Sequence, residues 1–502
     1  MNSDSQQPNA IPTPTTKPAP TLSIQPQYGG VLRIADTYVL PPRMGVPGRI
    51  NVGGPSLEPI IEHFLRFDRT GRMVPHLIES WEYNKDGKQL TLHVRKGIKF
   101  HDGTDLNAEA AKWNLLKAQE FKGTLKVISA IDVVDDYTIL LCMKSYDNTF
   151  LPNLALSSGF VCSPTAYKAY GEEYVMVHPV GTGPFKFVSC KPDINIIAER
   201  FDNYWQKGKP YIDKIEKLYV KDMAAAINML RMGKVDVVVN INGESANNLK
   251  SEGYIVTALP WTMEGLLPDS LNSDSVFADK RVRQAVEYAI DRPAIVKALG
   301  HGYWHALTQL ATEAVYGYNP AIEGRQYNPA KAKLLLIEAG YSDGFKTKLI
   351  GGEGTELLKV FTMVQAYLAD VGVEAEIEIA DPALWKKYRA DKPWHSAMLF
   401  RHFSSDPNFA CSLTDFHSKR EYGQTSVLRN FDNVLDEMLQ TKDYETMVKT
   451  AQRITKHLHD DAIVIPIMVD SSIAASSSKV HDLGYFKVHE RSWTPWNAWI
   501  EQ

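Results

Sequence analysis

A chain of 502 residues has room for about three domains of ordinary size. Apolar residues make up 44% of it and charged residues 23%, which is typical of a globular protein. The formal net charge of −4 excludes a basic field for nucleic acid or anionic membranes, and the longest apolar run, "AIVIPIMV", is too short to span a bilayer.

The first segment, residues 1–27, has no aromatic residue, six prolines and only two charges, at Asp4 and Lys17. Such a segment cannot bury enough apolar surface to fold, and its Pro, Thr and Ser content indicates an extended tether. It lacks the basic and apolar regions of a signal peptide. We expect Met1 to stand where a targeting segment has been removed.

The first half is predicted to be rich in strands. Residues 29–36 indicate a short strand, and "QLTLHVRKGIKF" alternates apolar and polar residues as a half-buried strand does. Asn107 is positioned to cap the helix in "LNAEAAKWNLLKAQ". Residues 131–144 predict two strands about a turn, and residues 184–200 predict a second pair.

The second half is predicted to be more helical. Asp279 and Asp291 are positioned to cap two successive helices, and "YNPAKAKLLLIEAG" has an Asn cap, a first-turn Pro and a terminal Gly. Residues 355–371 and 431–460 predict further helices, with the alternating strand "VEAEIEI" between them. This interleaving of strands and helices favours an α/β protein with more than one lobe.

No motif in the sequence indicates catalysis. "HPVGTGPFKF" lacks the Gly-Lys-Ser/Thr ending of a phosphate loop and indicates a tight turn into a strand. "HGYWH" spaces His301 and His305 as metal ligands on a helix, but its glycines favour a loop. The four cysteines occur singly; a Cys142–Cys162 bridge is open. We therefore predict no catalytic residue, no metal site and no cofactor.

An ordered set of motifs identifies a family. The segment "DRTGRMVPHLIESWEYNKDGKQLTLHVRKGIKFHDGTDLNAEAAKW" resembles the N-terminal signature of family 5 extracellular solute-binding proteins, the peptide- and nickel-binding class. The resemblance continues through "HPVGTGPFKFV", "FDNYWQKGKPYIDKIEKLYV", "AINMLRMGKVDVV", "FADKRVRQAVEYAIDRPAIVKAL" and "YNPAKAKLLLIEAGYSDGF". It covers about residues 29–500, and its specificity comes from the order of the pieces.

The resemblance implies an α/β periplasmic-binding-protein-like fold of two lobes hinged about a cleft. Lobe 1 would comprise residues 28–265 plus 485–502, with an extra subdomain at about 56–174, and lobe 2 would comprise residues 266–484. A small ligand would be enclosed between the lobes, and closure would be the signal that a transporter recognises.

The implied function is capture of a peptide-like, opine-like or metal-chelate ligand for the permease subunits of an ABC importer. The alternative is a receptor that reports its ligand to a membrane sensor, and an enzyme is disfavoured. We expect an extracytoplasmic monomer, either a cell-surface lipoprotein whose lipid anchor precedes the tether or a periplasmic protein.

The resemblance also selects candidate ligand-binding residues in "SAMLFRHFSSDPNFACSL". Many peptide binders of the family hold the peptide ammonium with an aspartate three residues before this Asp-Pro, where the chain has Phe403. Arg401 offers a fork for a carboxylate, His402 a polar or chelate contact, and Phe403 a stacking face. The remaining candidates are Ser404, Asp406, Trp261, Met44 and Tyr38.

These residues predict an acidic or chelated ligand, or a modified peptide, because an ammonium group against Phe403 would lack a carboxylate. A structural alternative is equally open. In it, Arg401 pairs across the hinge and His402 is a satisfied strand residue.

Overall fold

The structure, a computed structural model, describes residues 25–37, 44–50, 57–68, 72–391, 394–404, 409–416, 431–484, 493 and 495–502. The predicted site residues Tyr38 and Asp406 lie outside these ranges. Across the part of the chain that is described, no helix combines the length and the apolar character needed to cross a bilayer.

The strands predicted at residues 29–36, in "QLTLHVRKGIKF", at 131–144 and 184–200 and in "VEAEIEI" are present, together with others that the sequence did not predict. They are β1 Val31–Asp36, β2 Leu65–Phe67, β3 Met73–Pro75, β4 Ile78–Tyr83, β5 Gln89–Val94, β6 Ile128–Asp135, β7 Thr138–Met143, β8 Phe185–Lys191, β9 Asn195–Arg200, β10 Lys214–Tyr219, β11 Val237–Val239, β12 Ile255–Pro268, β13 His305–Ala306, β14 Phe345–Gly352, β15 Val373–Ala380, β16 Met398–Ser404, β17 Ile465–Ser476, β18 Val480–His481 and β19 Trp499–Ile500.

The helices lie between them. They are α1 Ala108–Gln119, α2 Phe150–Leu154, α3 Pro164–Tyr170, α4 Glu172–Val177, α5 Met223–Arg231, α6 Gly243–Ser251, α7 Lys280–Ala289, α8 Arg292–Leu299, α9 Pro329–Glu338, α10 Thr355–Ala369, α11 Pro382–Asp391, α12 Phe409–Leu413, α13 Phe431–Gln440 and α14 Tyr444–Asp460. The predicted caps are confirmed: the side chains of Asn107, Asp279, Asp291 and Asn328 each accept a hydrogen bond from a first-turn N–H.

One large mixed sheet organises the molecule. Its strand order is β15-β14-β16-β12-β17-β11-β1-β10-β9-β8, with β13 added against β17. The antiparallel pair β12 and β17 is long, with 14 and 12 residues, and it joins the two halves of the sheet. At one end β17 pairs with β11, and at the other β12 pairs with β16. The β12–β17 pairing shifts register between Pro260 and Met263.

A smaller sheet, β4-β5-β7-β6, packs against α1 and encloses an apolar core of its own. The turn between β6 and β7 lies where it was predicted, after Asp135. The glycine-rich turn also leads into a strand, β8, as predicted. Cys142, Cys162 and Cys190 are free, so the bridge between the first two is not formed.

The large sheet has separate cores on its two halves. Leu32, Phe185, Ala474 and Val480 belong to one cluster, whereas the two faces of the other half have clusters around β14 and β16. Ala474 and Val480 thus pack with the half that was predicted to be lobe 1, although the sequence assigned residues 266–484 to lobe 2. The reason is that β17 crosses between the halves within a single strand.

Gln27, the last residue of the predicted tether, contacts the C-terminal residue of the chain. The Gln27 side chain, predicted to belong to the tether, accepts a hydrogen bond from the Gln502 backbone N–H at 3.1 Å. The described chain therefore contacts the folded body from its first few residues onward.

Candidate functional site

A cavity of about 680 Å³ lies between the two halves of the large sheet. Its size falls within the range of about 300–1,000 Å³ that is usual for small-molecule sites. The wall comes from the segments after β10, β11 and β14, from β12, β16 and β17, and from the loop after α8. Parallel strands end at this edge, which is where open α/β sheets bind ligands.

One wall is fixed by a polar network beyond β1 and β11, in which Asp36 and Lys217 are buried and Asn240 is exposed. Asn240 adopts a left-handed conformation, with φ of 59°, which Asn tolerates better than most residues. Its side-chain N–H donates to Asp36 Oδ1 at 2.7 Å, and Asp36 Oδ2 accepts from Lys217 Nζ at 2.6 Å. Asn242 then caps α6 by accepting from the Ser245 N–H. These contacts hold the start of α6 against the cavity.

The loop after α8 closes the same wall. A Cβ at Gly243 would lie 2.8 Å from the Gly300 carbonyl oxygen, so only glycine permits this approach. His301 lies in a turn with φ of 50°, and its carbonyl accepts from Asn247. The loop prediction for "HGYWH" is therefore confirmed, and His301 is part of the cavity wall.

Three ionisable side chains meet on the strand side of the cavity. His402 Nδ1 lies 3.0 Å from Glu264 Oε1, because β16 and β12 pair these residues directly. Asp470 projects from β17 and accepts a hydrogen bond from the Thr262 N–H at 2.9 Å. All three groups line the cavity. We call Glu264, His402 and Asp470 the acid–imidazole cluster.

The cluster perturbs its own ionisation. Burial, followed by the negative charge of Glu264, raises the pKa of Asp470 to about 7. Burial lowers the pKa of His402, but the hydrogen bond and charge of Glu264, assisted by Asp470, outweigh it and raise that pKa above the ordinary value. Asp470 therefore exchanges its proton near neutral pH.

The cavity as a whole is acidic. Its lining contains five carboxylates and one lysine, together with His301 and His402; the carboxylates are Glu244, Glu264, Glu353, Glu356 and Asp470. The lysine, Lys359, lies 2.9 Å from Glu356 Oε1, so its charge is already paired. Such a lining favours a ligand that brings a positive group.

The structure separates the three consecutive candidates on β16. Only His402 reaches the cavity. Phe403, 4% exposed, stacks on Phe416 with ring centroids 5.6 Å apart, and Arg401 is 8% exposed. Side chains alternate across a strand, so the placement of His402 turns its neighbours to the opposite face. In the described structure Phe403 packs the core and offers no stacking face in this cavity.

Met44 and Trp261 lie apart from the cavity lining. Met44 is buried in the cluster with Leu32. Trp261 is half-buried on β12, three residues before Glu264, and is not in the lining. Ser404 ends β16. Tyr38 and Asp406 lie outside the described residues.

Sequence reasoning missed Glu264 and Asp470, although a signal was present. Each is a carboxylate beside an apolar run, "GLLP" after Glu264 and "AIVIPIMV" before Asp470. Charged residues are seldom buried without a partner, so these positions invite a functional explanation. Within the described ranges, no group of three or more His, Cys, Asp or Glu side chains has the geometry to hold a metal ion.

Comparison with known proteins agrees with this architecture. A model of the bacterial extracellular solute-binding proteins, family 5, middle region, matches residues 72–421. The glutathione-binding protein GsiB of Shigella flexneri is 28% identical over 445 residues, 82% of this chain and 84% of that protein. GsiB of Pectobacterium atrosepticum is 32% identical over 324 residues, 63% of this chain and 62% of that one.

A solved structure shows the same fold. NikA from Brucella suis in complex with Fe(III)-EDTA has a TM-score of 0.81 at 20% identity, covering 94% of this chain and all of that one. The predicted α/β, two-lobed fold class is thereby confirmed.

Proposed function

The chain belongs to the family 5 bacterial extracellular solute-binding proteins, and we propose that its ligand is a short peptide whose ammonium group binds at the acid–imidazole cluster. The family assigns the general role predicted above: an extracytoplasmic protein that captures a small ligand for an ABC importer. The identity of the ligand is the part that the proposal adds.

The observation that carries the proposal is the meeting of Glu264 and Asp470 on one cavity wall. A peptide ammonium needs a carboxylate when it leaves water, since an unpaired buried charge costs several kcal/mol. Phe403 occupies the chain position expected for that carboxylate. Glu264 and Asp470 supply the missing charge from β12 and β17 instead.

The same charges argue against the acidic ligand expected from Arg401 to Phe403. A carboxylate-rich molecule would face five carboxylates and a single lysine, which is paired with one of the five, Glu356. The relatives named as glutathione-binding proteins support a peptide-like ligand with a free amine. We therefore favour peptides over opine-like molecules and metal chelates.

Calorimetry at pH 7.5 tests the ligand class. We expect trialanine or reduced glutathione to bind and their N-acetyl forms to bind about 10–100-fold more weakly, because a charge-assisted hydrogen bond contributes about 1.5–3 kcal/mol. Equal binding of free and acetylated forms contradicts the proposal. A protein that binds nickel–histidine but neither peptide also contradicts the proposal.

A variant pair locates the amine. Glu264→Gln removes one charge of the cluster while it keeps the shape of the side chain, and it is expected to weaken binding by a similar factor. Glu199→Gln is the matched control: Glu199 lies on β9, pairs with Lys186 at the surface and is not part of the cavity lining. The assignment fails if both variants bind the peptide as the wild type does.

We propose finer features on the same basis. The chain passes from one lobe to the other within β12 and β17, at about residues 260–263 and 469–472, where the register shifts. The protein acts as a monomer and releases its ligand unchanged, without enzymatic turnover. The Pro- and Thr-rich start of the chain supports a lipoprotein tether, which metabolic labelling with an alkyne fatty acid tests.

A further inference from the structure

We propose that a cationic group entering the acid–imidazole cluster displaces a proton to solvent, so that ligand capture is coupled to proton release, with Asp470 as the residue that holds the proton. The inference rests on the proposed function, since it supposes an ammonium group at this wall. It adds a pH dependence and a specificity-determining residue that peptide binding alone does not require.

β12 and β17 pair Glu264 with Met468, so Asp470, two residues further along β17, lies on the same face as Glu264, and both carboxylates line the cavity. Asp470 Oδ1 is occupied by the Thr262 N–H, and Glu264 Oε1 by His402 Nδ1. Glu264 is 8% exposed, so little water is present to screen its charge from Asp470. Two neighbouring carboxylates in such a site retain one proton between them, and the raised pKa of Asp470, about 7, agrees with this.

The surrounding elements bring further charged groups to the cavity. The starts of α6 and α10 face the same cavity with Glu244, Glu353 and Glu356, and α10 also brings Lys359, which is paired with Glu356. His301 on the loop after α8 also lines the cavity, and the charge of Arg401 on β16 opposes protonation of His402. Among the nearby charges, that of Glu264 raises the pKa of Asp470 and that of His402 lowers it.

The exchange is balanced in atoms and charge. The protonated Asp470 carboxyl and the ligand ammonium give a carboxylate–ammonium pair and one proton, which passes to the buffer. Below about pH 7 the ligand must expel this proton, and above it the carboxylate is already free. Affinity should therefore rise with pH between 5.5 and 7.5, by at most about tenfold per pH unit for one proton.

Asp470→Asn is the informative variant. The Asn side-chain oxygen can still accept from the Thr262 N–H, so the register shift of β12 keeps its support. The amide cannot ionise, so it carries no exchangeable proton. Glu264→Gln is a second variant, because it removes the charge that helps Asp470 to retain its proton.

The first experiment needs no ligand. NMR titration of the full chain with 13C-labelled histidine, with His402 assigned through His402→Gln, should show the His402 pKa above its ordinary value. That pKa should fall in Asp470→Asn and in Glu264→Gln but not in Glu199→Gln. If the His402 pKa is the same in Asp470→Asn as in the wild type, the shared-proton cluster is wrong.

The second experiment measures the protons. Trialanine and reduced glutathione are titrated at pH 6.5 in phosphate and in Tris, whose ionisation enthalpies differ. We expect release of about half to one proton per peptide bound, near zero in Asp470→Asn and unchanged in Glu199→Gln. Binding with identical enthalpies in both buffers overturns the inference while the proposed function stands. Absence of binding by either peptide contradicts the proposed function, and the ligand-free titration then decides the cluster separately.

Discussion

Two carboxylate–imidazole pairs in this molecule have almost the same contact distance and opposite chemistry. In the first half of the chain, His76 Nε2 lies 3.1 Å from Glu62 Oε1, with side chains 5% and 2% exposed. In the cavity, His402 Nδ1 lies 3.0 Å from Glu264 Oε1, and the His402 side chain is 58% exposed. The first pair is sealed by protein, whereas the second opens onto solvent.

The difference shows how burial changes the pKa of a histidine that is paired with a carboxylate. Around Glu62, the Tyr204 hydroxyl and the Trp205 indole N–H also donate, so the protein satisfies this carboxylate completely. Burial lowers the pKa of His76 despite Glu62, while in the cavity the carboxylates prevail and raise the pKa of His402. The sealed pair is structural, and the open pair has room for a ligand.

Removal of the sealed carboxylate should have the largest effect. Glu62→Ala leaves His76, Tyr204 and Trp205 without their acceptor in the core, so we expect a loss of about 3–5 kcal/mol in the free energy of unfolding. Urea unfolding measures it. Glu264→Ala is the matched variant in the open pair and should cost less, because its partner His402 is 58% exposed and regains water when the carboxylate is removed, although Glu264 itself is buried. Equal losses would break the comparison.

Two glycine substitutions give a second test of the comparison between the sealed region and the cavity. A Cβ at Gly183 would lie 2.4 Å from the Pro59 carbonyl oxygen, beside the sealed region where His101 bonds the Gly183 carbonyl. We expect Gly183→Ala to cost about 1–3 kcal/mol in unfolding experiments. Gly243→Ala meets its nearest atom, the Gly300 carbonyl oxygen, at the longer distance of 2.8 Å, so its stability loss should be smaller and its peptide affinity lower. The opposite ranking would contradict this assignment.

The half of the chain that contains the sealed His76–Glu62 pair should also be the more sensitive to acid. Burial lowers the pKa of His63 to about 3 and that of His101 to about 4. The unfolded chain binds these protons near pH 6.5, so stability is fully present above that pH and falls as the pH drops toward the folded pKa values, by about 1 kcal/mol per pH unit for each histidine. Urea unfolding at pH 7, 6 and 5 measures the slope. His101→Gln should flatten it, and an unchanged slope rejects this origin.

The open pair should show the smallest effect and the opposite sign. The pKa of His402 is raised in the folded state, so its contribution to stability is present below about pH 6.5 and lost as the pH rises through the folded pKa. Because the side chain is largely exposed, His402→Gln should cost under about 1 kcal/mol at pH 6. A loss that grows toward pH 8 would contradict this sign.

The sequence by itself determined the local structure and the family. Capping residues such as Asn107 and Asn328 act on N–H groups three positions away, so their effect is readable from a short segment. The glycine-rich turn before β8 was likewise correct. The ordered motifs identified the family because they record the whole scaffold, even though each one alone says little about the ligand.

Only the tertiary structure decided which side chains form the cavity. Thr262 and Asp470 are 208 positions apart in the chain, and the pairing of β12 with β17 brings them together. The alternation of β16 was predictable, but which face meets the cavity depends on how the sheet halves are packed, and this separated His402 from Phe403. Periodicity is a local property of the chain, whereas a cluster of charges forms only where distant strands become neighbours.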